Sequence, residues 1–275
     1  MAKSKAVAKQ ESGALPTFMN DYRGEGTEAG TSEDLIIPRV ILLQGISELV
    51  QSGDEKAGDF YHLLGDLSLG DTVRIIPLYY TKRYLLWNPR HDGGGILARS
   101  DDGVHWNPAN REFEVNLYKG QKKTGVWKTA DTVRESGLAD WGSYDPDEED
   151  SPPAATAMHC FACWLPDHPE LSPCVITCQR SSEKIGKELY SKLKMANAPS
   201  YGLVYEMSSS DETNDRNEDF KSYKFKRVGF VEDEAEFLSM REYYESFKNL
   251  GMQIRDEEGM QESESSVPTE EDERM

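Results

Sequence analysis

Apolar positions along the chain fall mostly into short runs broken by polar turn clusters, the pattern of half-buried strands. Residues 35–43 are apolar and rich in β-branched side chains. Pro38 predicts a strand start or an edge there, because proline cannot donate to a ladder. Residues 58–64 form a short second candidate, and 72–87 a long aromatic one interrupted by Pro77. Further strands are predicted at 95–99, 113–118, 126–129, 155–165, 174–179, 201–207 and 220–231. Two segments change to a helical period. Ser181 or Ser182 caps a helix that carries Ile185, Leu189 and Leu193 and closes at Asn197 and Pro199. Residues 233–250 place Phe237, Met240, Tyr244 and Phe247 on one face, with Gly251 as a C-terminal stop. The predicted fold class is β-rich α+β: an antiparallel sheet or OB-like barrel with one crossover helix and a C-terminal helix.

Polar segments set the domain organisation. Residues 1–32 are rich in Gly, Ser, Thr, Ala and Glu and predict a disordered N-terminal arm, with Leu15, Phe18, Met19 and Tyr22 as its anchors. Residues 33–252 predict a single β-rich binding domain, and 253–275 a disordered acidic tail. From 256 to 275 there are nine acidic residues, one basic and no aromatic, so no apolar surface offsets the entropy of ordering. Residues 145–153 read as an acidic loop, and 208–219 as a mobile hairpin tip or loop. There is no internal repeat.

Composition narrows the class. Hydrophobic residues are 37% and aromatic residues 10% of 275, enough for a sizeable core. The formal charge of −19 excludes a basic histone-like or ribosomal-protein-like chain. No apolar run reaches the roughly 18 residues of a membrane span. The start is basic but has no apolar secretory core, so a cytoplasmic protein is expected.

Catalytic motifs are missing: there is no GxSxG, HExxH or P-loop, and no enzyme and no cofactor are expected. Gly93–Gly95 after Arg90-His91-Asp92 reads as a flexible hairpin loop rather than a phosphate cradle. His62, His91 and His105 have no visible partner in the sequence. Cys160, Cys163, Cys174 and Cys178 lie within nineteen residues. Four thiolates in two pairs are the composition of a zinc site. The pairs sit in strand-like runs, however. A hairpin at 166–170 would bring Cys160 near Cys178 and Cys163 near Cys174, with Cys160 and Cys163 on opposite faces. Packed core thiols are the favoured reading.

Binding chemistry is better represented. Residues 79–90 interleave Tyr79, Tyr80, Tyr84 and Trp87 with Lys82, Arg83 and Arg90. Lys119, Lys122, Lys123, Trp127 and Lys128 form a second such stretch, and Lys221, Tyr223, Lys224, Phe225, Lys226 and Arg227 a third. On a strand Tyr80, Lys82 and Tyr84 share one face. Aromatic platforms beside cations bind single-stranded nucleic acid without reading sequence, each stacked base contributing about 1–3 kcal/mol. The bland alternative is core aromatics with cations on the outer face. The candidate nucleic-acid-binding residues are Tyr80, Lys82, Arg83, Tyr84, Trp87, Arg90, Lys122, Lys123, Trp127, Lys128, Lys224 and Lys226.

With the acidic tail, this arrangement resembles the single-stranded DNA-binding proteins of tailed phages and bacteria. The 37–44 run, Gly58-Asp-Phe60, Leu86-Trp-Asn-Pro89 and Gly93–Leu97 also resemble phage proteins of replication and recombination regions. The resemblance implies an OB-fold body that binds single-stranded DNA and an acidic tail that recruits replication or recombination proteins. It also implies location in the host cytoplasm, and a homo-oligomer is compatible with it. The competing reading is a non-enzymatic virion component or an acidic DNA mimic. The body keeps −11 once the tail's −8 is removed, so DNA binding requires its cations to be gathered on one surface.

Overall fold

The computed structural model describes residues 37–87, 95–107, 118–119, 122–123, 131–144, 151–213, 217 and 219–250. The chain separates into two units, Met1–Ile36 and Ile37–Met275. The predicted arm, the acidic tail and the strands at 113–117 and 126–129 lie outside the described residues.

The strands are β1 (Arg39–Leu42), β2 (Phe60–His62), β3 (Leu67–Gly70), β4 (Thr72–Trp87), β5 (Ile96–Ser100), β6 (Tyr118–Lys119), β7 (Lys122–Lys123), β8 (Ala155–Trp164), β9 (Cys174–Gln179), β10 (Leu203–Thr213) and β11 (Asp219–Phe230). The helices are α1 (Glu48–Gln51), α2 (Val133–Ser136), α3 (Glu183–Met195) and α4 (Glu234–Leu250). Nine strands form one sheet in the order β11-β10-β4-β8-β9-β1-β2-β3, with β5 pairing the far end of β4. Its pairs are antiparallel except β1 with β9. The fold is β-rich α+β, and the sheet curls into an OB-like half-barrel. Gln44, just past β1, bridges the curl. Its side-chain amide accepts the Lys221 N–H of β11 at 2.9 Å and donates to the Lys221 carbonyl at 3.0 Å.

Each proline in a strand run has its physical place. Pro38 precedes β1, which lies inside the sheet, so the strand-start alternative holds and the edge alternative does not. Pro77 falls within β4, where the ladder to β8 shifts between Pro77 and Tyr79. The bulge accommodates a residue that has no N–H to give.

The sheet buries both faces. On one, Leu189 and Leu193 of α3 enter a core with Phe161, Cys163, Ile176, Tyr205, Met207 and Phe225. On the other, Met240 and Phe247 of α4 pack against Ile76, Leu78, Met158 and Val175, while Phe237 and Tyr244 set tilted rings against Tyr201. Each fully buried aliphatic or aromatic side chain contributes about 1.5–3 kcal/mol. Gly186 sets how closely α3 sits. A Cβ there would lie 2.7 Å from the His159 Cβ and 2.8 Å from the Cys178 Cβ, so only glycine lets the helix touch β8 and β9.

The hairpin tip or loop expected at 208–219 is paired from Ser208↔Lys224 out to Thr213↔Asp219, and residues 214–216 and 218 lie outside the described residues. Its far end is polar on both faces and shows no alternation, but backbone pairing does not need one. The Thr213 hydroxyl ties the end to Asp219 at 2.7 Å. α1 and α2 are single turns, too short for a period to register in sequence.

Candidate functional site

β4 delivers Tyr80, Lys82 and Tyr84 to one face, as strand alternation requires. That face is the one α3 covers. Tyr80 stacks on Tyr190 of α3 with centroids 4.2 Å apart, lies against Phe161, and meets His159 Nδ1 through its hydroxyl at 2.9 Å. Burial pushes its phenol pKa up. Lys82 bonds the Tyr84 hydroxyl and holds its ammonium 4.5 Å from the Tyr84 ring centre. Tyr84 is buried with Leu86, Trp106 and Val133. Arg83 points to the opposite face, 1% exposed, and pairs with Asp101 through its Nε at 3.0 Å. Trp87 is half-buried against the α4-side core. Gly103 (φ +73°) lets the loop after β5 lie against β4: a Cβ there would be 2.6 Å from the Lys82 carbonyl. The β4 residues are thus together, and largely enclosed by protein.

The third stretch has a different environment. β11 is the terminal strand of the sheet order. Tyr223 and Phe225 turn inward, stacked at 6.0 Å, and Tyr223 also meets Phe60. Lys224 and Lys226 point the other way and are exposed. They face Ser208 and Glu206 on β10, which in turn face Thr72 and Arg74 on β4. Arg74 is bound by Asp167 through its Nε at 2.9 Å, and Lys221 by Asp211 at 2.6 Å. Among the described residues Lys224, Lys226 and Arg227 carry no ion pair. Lys122 and Lys123 form β7, paired with β6. Arg90, Trp127 and Lys128 lie outside the described residues.

The cations are concentrated in three segments of the chain. β4 carries three and no acid; β11 carries four against Asp219; and 180–195 carries five against Glu183 and Glu188. These 44 residues total +9, so the other 231 carry −28 of the chain's −19. β11 contacts both α3 and the turn at Arg180–Ser182 that leads into it, so the two basic elements meet at one edge.

The four thiols divide between the faces. Cys163 and Cys174 oppose each other as expected, but Cys160 pairs with Thr177 and Cys178 with His159, one residue off the predicted match. Cys163, Cys174 and Cys178 lie in the α3-side core and Cys160 in the α4-side core. Burial pushes the Cys174 thiol up to about 12 and those of Cys163 and Cys178 up as well, so they pack as neutral groups. No cluster of three metal-binding side chains occurs among the described residues.

The histidines have partners that no sequence pattern revealed. His62 Nδ1 accepts the Gly65 N–H at 2.8 Å, and its Nε2 meets the Leu171 carbonyl at 3.1 Å. This requires the neutral ring with hydrogen on Nε2. His105 Nδ1 lies 2.7 Å from Asp102, whose carboxyl falls to about 2 as its hydrogen bonds to His105, Val104 and Ser100 outweigh desolvation. His159 is buried and its Nε2 has no partner. Desolvation first, then the nearby Lys82, lowers it to about 4.

No helix among the described residues is long and apolar enough to cross a membrane. A family model described as Pam3 phage gp34-like protein matches residues 8–253. No curated protein and no solved structure matches the chain.

Proposed function

The chain belongs to the Pam3 phage gp34-like protein family, which makes it a phage protein, and from that premise we propose that it binds single-stranded DNA without sequence preference in phage replication or recombination. The observation that carries this reading is the pair Lys224 and Lys226 on the terminal strand β11, exposed and in no ion pair among the described residues, whereas Arg74 and Arg83 of β4 are bound by Asp167 and Asp101. These two lysines track the phosphates. Neutralised phosphates release counterions, so affinity falls steeply with salt. Stacking belongs to aromatic residues beyond the enclosed Tyr80 and Tyr84, with Trp127 between Lys123 and Lys128 the foremost. The acidic segment 256–275 serves as the handle for replication or recombination proteins.

Titration of labelled oligo(dT) with the full chain tests the reading. Tight binding at about 50 mM salt that weakens steeply by about 200 mM is expected. The double variant Lys224→Glu/Lys226→Glu should lose it with its melting temperature intact. Absence of binding at the lower salt removes the proposal. It would favour the second reading, an acidic DNA mimic or virion component, for which the −28 outside the basic elements speaks.

A further inference from the structure

His62 is 2% exposed and ties three segments of the chain together. It stands on β2 opposite Val40 of β1. Its Nδ1 accepts the Gly65 N–H at 2.8 Å, in the turn between β2 and β3. Its Nε2–H donates to the Leu171 carbonyl at 3.1 Å, in the connection between β8 and β9. The turn is pressed onto the ring: a Cβ on Gly65 would lie 2.7 Å from Nδ1 and 2.9 Å from the Leu171 Cδ2. The imidazole therefore has no room to swing away. β3 ends the sheet order, and β2 is its strand partner. A second tie on the turn is the Tyr61 hydroxyl, which donates to the Asp66 carboxylate.

The two ring nitrogens answer a second proton differently. Nε2 already carries hydrogen, and its bond to Leu171 becomes charge-assisted. Nδ1 loses the lone pair that the Gly65 N–H requires. Two N–H groups then oppose each other at 2.8 Å inside the protein, and one of them has to leave. The turn is the part that can go, since Leu64 at its tip is 65% exposed.

We infer that His62 is an acid-released latch: a proton on its Nδ1 frees Gly65 and opens the β2–β3 turn, while Nε2 keeps its hold on Leu171. The charged and titratable groups on the elements around the ring are few. The turn has Asp66, β2 has Tyr61, β1 has Arg39 and β3 has none. The β8–β9 connection has Asp167, His168 and Glu170. Arg74 engages Asp167, and the His168 Nδ1 lies 3.6 Å from Glu170. Desolvation comes first and holds the ring below its ordinary 6.5; the Leu171 and His62 carbonyls pull it up, and His168 pushes it down. The latch is closed at neutral pH and opens as the pH falls below 6.5. It makes no use of nucleic-acid binding, and its test contains no nucleic acid.

Amide hydrogen exchange of the full chain, corrected for intrinsic exchange rates, is the measurement. Protection of Gly65 should fall as the pH drops below 6.5, by up to about tenfold per unit, because opening takes up one proton. His62→Gln cannot titrate and should keep a level protection. His159→Gln, which removes a separate buried imidazole from the core, should leave the fall at Gly65 in place. If His62→Gln does not fold, NMR of the parent decides. The His62 ring nitrogens and the Gly65 amide should titrate with one midpoint, and His168→Gln should raise it. Gly65 protection that stays level below pH 6.5, an equal fall in His62→Gln, or a Gly65 amide whose midpoint departs from that of the His62 ring overturns the inference.

Discussion

β4 and β11 both interleave rings with cations, Tyr-Tyr-Thr-Lys-Arg-Tyr at 79–84 and Lys-Ser-Tyr-Lys-Phe-Lys-Arg at 221–227. Their environments diverge. β4 lies between β10 and β8 with α3 on one face and α4 on the other, so Tyr80 stacks on a helix, Tyr84 is buried, and Arg83 is neutralised by Asp101. β11 ends the sheet order, so the same alternation buries Phe225, half-buries Tyr223 and leaves Lys224 and Lys226 in solvent. An aromatic-basic strand is therefore not a binding surface by composition. Its position in the sheet decides whether its cations meet protein or water.

Substitution separates the two strands. Tyr84→Ala on β4 should lower stability by about 3 kcal/mol, the scale for truncating a buried aromatic side chain. Affinity for oligo(dT), measured while the protein is still folded, should be unchanged. Denaturant melts with parallel binding isotherms check this. A variant of normal stability that has lost binding would return β4 to the interface.

A pH titration of stability reaches the same core through His159. Its unfolded imidazole takes up a proton near 6.5, whereas the buried ring waits until about 4. Stability is then full above pH 6.5 and falls as pH drops from 6.5 toward 4, by about 3 kcal/mol. His62, lowered by its own burial, adds in the same direction. Urea melts across that range should show the loss, and His159→Gln should flatten most of it. An unchanged slope in that variant assigns the acid sensitivity elsewhere.

Gly186→Ala tests whether α3 is seated on β8 and β9 as closely as its packing implies. Alanine gains about 1 kcal/mol of helix propensity, but its methyl meets two Cβ atoms that no side-chain rotation can move. A net loss of about 1–2 kcal/mol is expected, since overpacking costs about 1–3. A stabilised variant would mean that the helix can shift away.

On β11 the effects are smaller and fall on binding. Lys224→Gln and Lys226→Gln should each leave stability within about 0.5 kcal/mol. Each should reduce the slope of log affinity against log salt by about 0.7, the value for one lost contact to a single strand. A slope equal to the parent's would take that lysine off the phosphate path.

Local chemistry was legible from the chain alone. The short apolar runs at 155–165 and 174–179, bounded by turn clusters, predict β8 and β9, and the four-residue repeat of Ile185, Leu189 and Leu193 predicts α3, because such patterns are set by backbone geometry within one element. The placement of Tyr80, Lys82 and Tyr84 on one side follows from the same rule. The segregation of Cys160 from Cys163 does too, though the β8–β9 register differs by one residue at Cys160 and Cys178. The partners of His62 and His159 were not legible. Gly65 is three residues from His62, but Leu171 is 109 residues away and Tyr80 is 79 residues from His159. The sequence by itself determined most strands of the large sheet, though not the short β3, together with the two longer helices and the face on which the rings of β4 lie. Only the tertiary structure decided which aromatic-basic strand ends the sheet and which is enclosed. Strand order arises from long-range pairing and helix docking, and no period within a single segment encodes it.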